Sequence, residues 1–103
     1  MAWEREGEWD RAYRALNELS RAWMLPVVHA LGQRGRLRFN DLKRSLRGIS
    51  STCLAQRLRE LERMGLVERK VRPDKPPSVE YALTKRGHSL FSRLSALAEW
   101  ARA

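Results

Sequence analysis

The chain has 103 residues, a single cysteine and a formal net charge of +9 at neutral pH. A chain of this length buries roughly 60 to 68% of the surface that it exposes when unfolded, enough for one core and too little for two, so one domain over residues 1–103 is expected. No apolar run approaches the roughly 20 residues that span a bilayer, Met1-Ala2-Trp3-Glu4-Arg5-Glu6 lacks the basic-then-apolar order of a secretion signal, and Cys53 has no internal disulfide partner; a cytoplasmic protein with no membrane partner is the expectation.

Trp9, Ala12, Tyr13, Leu16, Leu19 and Trp23 recur at three- and four-residue spacing, which predicts an amphipathic helix over about residues 9–20. A second helix is predicted from Met24 or Leu25 to Leu31, with Pro26 in its first turn, where a missing N–H does no harm, and Gly32 as its stop. Gln33-Arg34-Gly35 reads as a turn and Leu37-Arg38-Phe39 as a very short strand. Asn40 or Asp41 then caps a short helix that turns Leu42 and Leu46 inward and closes at Gly48.

Ser50 or Ser51 opens the next helix, about residues 50–64, in which Leu54, Leu58 and Leu61 stack on one side before Met64-Gly65 ends it. Val67, Arg69 and Val71 alternate with polar neighbours, as do Val79, Tyr81 and Leu83. The proline-stiffened Arg72-Pro73-Asp74-Lys75-Pro76-Pro77 between them makes a hairpin over residues 67–83. Thr84 caps a last helix carrying Leu90, Phe91, Leu94, Leu97, Ala98 and Ala101. No internal repeat is present.

The fold class expected from this order is mainly α with a small antiparallel β-hairpin: a winged helix-turn-helix with added N- and C-terminal helices. In that arrangement the second helix of the pair enters the major groove of duplex DNA and the hairpin reaches the flanking backbone or minor groove. The charge agrees. Residues 1–35 carry equal numbers of basic and acidic side chains, whereas residues 36–63 carry eight basic against three acidic and residues 64–87 six against three. A basic excess segregated in this way suggests a polyanionic partner, the plain alternative being a solvated basic surface. Seventeen of the 21 basic residues are arginine, whose planar fork suits phosphates and guanine edges.

At about 100° per residue, Thr52, Gln56, Arg59 and Arg63 cluster within about 40° of the pole opposite the leucines. Glu60 and Glu62 fall toward the flanks. Gln pairs with adenine and Arg with guanine, so those four residues are expected in the major groove, with Ser51 and Arg57 at its edge or on phosphates. Lys43, Arg72, Lys75, Lys85 and Arg86 are expected on backbone or minor groove. Lys85 and Arg86 also oppose the dipole of the helix that they open, so another reason must retain them, phosphate contact or simple exposure.

The segments Arg38-Phe39-Asn40-Asp41-Leu42-Lys43, Gly48-Ile49-Ser50, Leu54-Ala55-Gln56-Arg57-Leu58-Arg59-Glu60-Leu61-Glu62, Gly65-Leu66-Val67-Glu68-Arg69 and Pro76-Pro77-Ser78-Val79-Glu80-Tyr81-Ala82-Leu83-Thr84-Lys85-Arg86-Gly87, in this order and spacing, closely resemble the HxlR-like winged-helix regulators over about residues 20–100. The resemblance implies a compact winged helix that dimerises through its terminal helices and binds operator DNA to repress or activate transcription. It also implies a cysteine just before the first conserved helix in oxidant- or aldehyde-sensing members. Leu19-Ser20-Arg21-Ala22-Trp23 has none here, and Cys53 reads as a small packing residue beside the recognition surface.

The terminal helices, residues 8–20 and 84–102, carry apolar stripes too broad for a small core to cover. On the last helix the arc from Trp100 through Leu90, Leu94 and Leu97 to Phe91 spans roughly 180°, against a little over 100° for a one-sided helix. A twofold homodimer is therefore expected, burying Trp9, Tyr13, Leu16, Phe91, Leu94, Leu97, Ala98 and Trp100 and presenting two recognition helices to a pseudo-palindromic operator. His29 and His88 stand without further ligands at metal spacing, and no nucleophile elbow, phosphate-binding glycine loop or acid pair is present. No metal, cofactor or enzymatic activity is expected. The rivals to a sequence-specific regulator are a winged-helix protein-interaction module and a nonspecific architectural DNA binder.

Overall fold

The computed structural model describes residues 6–103, so the opening segment, including the start that lacks secretion-signal order, falls outside the described residues up to residue 5. In chain order the elements are α1 (Glu6–Leu19), α2 (Met24–Arg34), β1 (Leu37–Arg38), α3 (Phe39–Ser45), α4 (Ser51–Arg63), β2 (Val67–Arg72), β3 (Ser78–Leu83) and α5 (Lys85–Arg102). Three inward faces make the core. Met24, Val27, Val28 and Leu31 of α2 meet Leu42 of α3 and the Leu54, Leu58 and Leu61 stack of α4, and Leu66, Val67 and Leu83 close it at the sheet.

The hairpin of β2 and β3 is joined by β1 into a three-stranded antiparallel sheet of order β1-β3-β2. Leu37 pairs with Tyr81 and Arg38 with Glu80, while Val67 pairs with Leu83, Arg69 with Tyr81 and Val71 with Val79. Val67 and Leu83 are buried at the base of the hairpin, and the row that starts at Val67 continues through Arg69 and Val71, both exposed as the strand runs out from the core. Arg69 thus occupies a row begun by a core valine.

Helix α1 starts at Glu6, earlier than expected, and α3 ends at Ser45, short of Gly48; two further boundaries differ for a tertiary reason. Helix α2 continues through Gly32 to Arg34 and stops at Gly35, whose φ of 83° is the left-handed turn conformation. Gly32 serves a different purpose: a Cβ there would overlap the ring of Phe91, so the missing side chain is what lets α5 lie against α2. Helix α3 starts at Phe39 with Arg38 as its cap and no side-chain cap bond. Pairing of β1 with β3 sets the backbone at Leu37 and Arg38, so the helix begins directly after it; Asn40 and Asp41 fall in the first turn, where Asp41 pairs with Arg44.

The cap at α4 is as expected, with Ser50 Oγ accepting from the Cys53 N–H at 3.0 Å. At α5, Thr84 Oγ1 accepts from the Gly87 N–H at 3.1 Å and donates to the Gly65 carbonyl at 2.6 Å, tying the helix start to the turn after α4. Only the first half of α5 rests on the domain: Leu90, Phe91 and Leu94 pack against the core, while Leu97 and Trp100 are 54% and 75% exposed. The Cα radius of gyration, 15.3 Å, exceeds the roughly 13 Å of a compact chain of this length, consistent with terminal helices that project.

Candidate nucleic-acid interface

Helix α4 holds three different surfaces. Its leucines are buried; Ser51, Thr52, Gln56, Arg59 and Arg63 are exposed; and its two flanks meet different neighbours. Against one flank lies the α1–α2 linker. Arg57 Nε donates to the Ala22 carbonyl at 2.9 Å and its guanidinium also donates to Glu60 Oε1, while Arg21 donates to Glu60 Oε2 at 2.6 Å. The Glu60 side chain is 10% exposed, and the hydrogen bond from Arg57 holds its carboxyl below the usual range against the opposing effect of burial; the charges of Arg57 and Arg21 add to the lowering. Arg57 is therefore turned inward and its donors are engaged, in contrast to the groove-edge position expected for it.

The linker that this cluster grips contains Trp23, the only described non-glycine residue with positive φ, at 74°. A bulky residue held there costs about 1 to 2 kcal/mol, and the Arg57 bond to the adjacent Ala22 carbonyl is one of the contacts that hold the turn. Arg63 reaches Glu18 of α1 at 3.4 Å, a pair whose two side chains are largely in water and which adds little.

The other flank of α4 faces the hairpin. Ala55, Leu58, Arg59 and Glu62 from the helix and Arg69 and Tyr81 from the sheet line a cleft of about 300 Å³. The expected wing residues lie farther out: Arg72 is exposed with its Nε bonded to Glu80 at 2.9 Å, and Lys75 is exposed in the loop. Lys43 is half-buried on α3. Lys85 and Arg86 are exposed in the first turn of α5, and Arg86 lines a groove with Ala15, Leu19 and Met64, at the junction with α1 and away from the α4–hairpin cleft. The structure thus brings α4 and the hairpin side by side as one basic surface and sets Arg86 apart from it. Arg69 was missed as a site residue by the sequence reading. Its signal was there, a charged residue in the apolar row of a strand.

The side chains expected at a dimer contact divide in two. Trp9, Tyr13 and Leu16 on α1 and Leu97, Ala98 and Trp100 on α5 are exposed, whereas Phe91 and Leu94 are half-buried against the chain's own core. Trp9 and Tyr13 stack at 6.0 Å along α1. Cys53 is half-buried. No helix among the described residues is long and apolar enough to cross a membrane.

The family model for the HxlR-like helix-turn-helix matches residues 18–103. The chain belongs to that family. An HTH-type transcriptional regulator of Methanothermobacter thermautotrophicus is 42% identical over 88 residues, covering 85% of this chain and 66% of that protein, so the chain spans about two-thirds of the length of this relative. The transcriptional regulator YodB of Bacillus subtilis, in its reduced form, superposes with a TM-score of 0.82 at 34% identity over 88% of each chain. A MarR-family regulator from Enterococcus faecalis superposes with a TM-score of 0.83 at 39% identity, over 90% of this chain and 84% of that one. Family and neighbours agree on a winged-helix DNA-binding transcriptional regulator, and the fold expected from the order of elements stands.

Proposed function

We propose that the protein is a homodimeric, sequence-specific transcription regulator that places α4 in the major groove and the β2–β3 wing on the flanking backbone or minor groove. The observation that carries this reading is the sorting of charge on α4. Its acids are drawn off the outer face, Glu60 into a buried pair and Glu62 into the cleft, leaving Thr52, Gln56, Arg59 and Arg63 exposed beside a basic hairpin. An ordinary solvated helix would intersperse acids there to stabilise itself. A helix face with no acid of its own at its centre meets a polyanion at little repulsive cost.

The exposed apolar residues support the twofold part of the reading. Trp9, Tyr13, Leu16, Leu97 and Trp100 all lie on the two terminal helices, so a partner copy covers its equivalent patch in a self-complementary way. Selection of bound duplexes from a random pool tests the whole reading. The expected result is a motif of two inverted half-sites with centres about 10 bp, or a multiple of one helical turn, apart. Binding without enrichment points to an architectural role, and no binding beyond that of any polycation points to a protein-interaction module; either outcome overturns the proposal.

A further inference from the structure

We propose that the cleft between α4 and the wing seats one DNA backbone phosphate, held from the helix by Arg59 and from the hairpin by Arg69. The inference rests on the DNA-binding reading above and adds a contact that it does not assign.

Three observations carry it. First, six of the described arginines are paired with an acid: Arg14 with Asp10, Arg21 and Arg57 with Glu60, Arg44 with Asp41, Arg63 with Glu18 and Arg72 with Glu80. Among the described residues Arg59 and Arg69 have no ion pair or hydrogen bond, although Glu62 lines the same cleft. Second, Arg69 is exposed on β2 in the row that starts at the buried Val67, directly across from Tyr81, and it lines the cleft that faces α4. An acid there would neutralise Arg59. A second guanidinium instead leaves the two walls of the cleft with one more positive charge than Glu62 offsets, which favours an anion between them.

Third, the position of the cleft matches the path of the nucleic acid. A helix in the major groove and a hairpin on the neighbouring minor groove are separated on DNA by one sugar-phosphate strand. The gap between α4 and the wing is where that strand must pass. Arg59 sits at the edge of the outer face nearest the hairpin, about 140° from Leu54 on the helical wheel, while Thr52, Arg63 and Gln56 lie closer to the outermost line. Arg59 is therefore a backbone clamp rather than a guanine reader, and base reading falls to Gln56 and Thr52. Tyr81, half-buried with no hydrogen-bond partner among the described residues, adds a donor on the same wall.

The test uses the full chain and the duplex that selection yields, synthesised with single methylphosphonate linkages so that one phosphate at a time is neutral. In the wild type, one linkage per half-site, between the bases contacted by α4 and the minor groove under the wing, is expected to weaken binding about tenfold. Arg59→Ala and Arg69→Ala are each expected to lose a similar factor, to lower the salt slope by about 1 per half-site, and to be insensitive to that one linkage. The double variant is expected to lose less than the product of the two, because both side chains serve one phosphate. If the wild type binds its duplex but no linkage loses its effect in Arg69→Ala, the clamp is refuted and the DNA-binding reading stands. If the wild type binds no duplex, both fall.

Discussion

Glu60 shows how much a single residue's meaning depends on its neighbours. Its place in the sequence reads as a solvated acid on the side of a helix; in the fold it is buried and accepts from Arg57, three residues away, and from Arg21, 39 residues away. Only the first of those spacings is visible in a helical pattern. Because its carboxyl is held below 4.5, the stabilisation that it provides is fully present above that pH and disappears as pH falls through the lowered value. Glu60→Gln is expected to cost about 1 to 3 kcal/mol at pH 7, toward the low end because Arg21 stays half in water. The gap between wild type and variant should then close as pH falls below 4.5 and through the lowered value in denaturant titrations taken at stepped pH; a gap that is constant with pH contradicts the ion-pair account. Gln56 is the opposite case, an exposed residue whose reading from the sequence needs no partner. Gln56→Ala is expected to cost about 1 to 3 kcal/mol on the selected duplex with little loss on a scrambled one, whereas Lys75→Ala should weaken both alike and lower the salt slope by about 1. Equal losses on both duplexes for Gln56→Ala would remove base reading from this helix.

At the scale of elements, the local signals held wherever the chain's own chemistry sets the boundary. Ser50 and Thr84 cap α4 and α5 because their hydroxyls satisfy amides three residues on, and the hairpin's strands follow the alternation of Val67 to Val71 and Val79 to Leu83. Two of the misplaced boundaries are ones that a distant element decides. Gly32 looks like a helix stop and is instead the floor under Phe91, 59 positions later; Asn40 and Asp41 look like caps, but the pairing of β1 with β3 moves the helix start to Phe39. Gly32→Ala is accordingly expected to lower stability by about 1 to 3 kcal/mol despite its better helix propensity, and Phe91→Leu on that background should recover part of the loss. Thermal melts of the two variants check this. A Gly32→Ala variant as stable as wild type would mean that α5 does not press on α2 in solution. Arg57 belongs with these cases, since the Ala22 carbonyl of the α1–α2 linker, together with Glu60 of its own helix, holds it inward.

For the molecule as a whole, the projecting terminal helices are the part of the structure that asks for a second copy. Leu94 packs on its own core, so a charge there would damage the fold as well as any interface; Leu97 and Trp100, both more than half exposed, are the cleaner pair. Leu97→Glu with Trp100→Glu is expected to keep the helical content and to sediment as a monomer at micromolar concentration, where the wild type is expected to sediment as a dimer. A monomeric wild type would end the twofold reading. If the dimer makes roughly six to ten phosphate contacts, its affinity for duplex should fall by about 10³ to 10⁵ between 50 and 200 mM salt. A flat salt dependence would contradict the basic-face argument. The family, the order of elements, the leucine seam of α4 and the opposite polar face were all determined by the sequence alone, because short-range periodicity, caps and turns are encoded within one or two helical turns of the residue concerned. Tertiary structure alone decided which arginines are committed and which are free. Arg57 is bound to Glu60 and Ala22, while Arg59 and Arg69 line the α4–wing cleft without an ion pair, because a charge's partner is set by the packing of elements far apart in the chain.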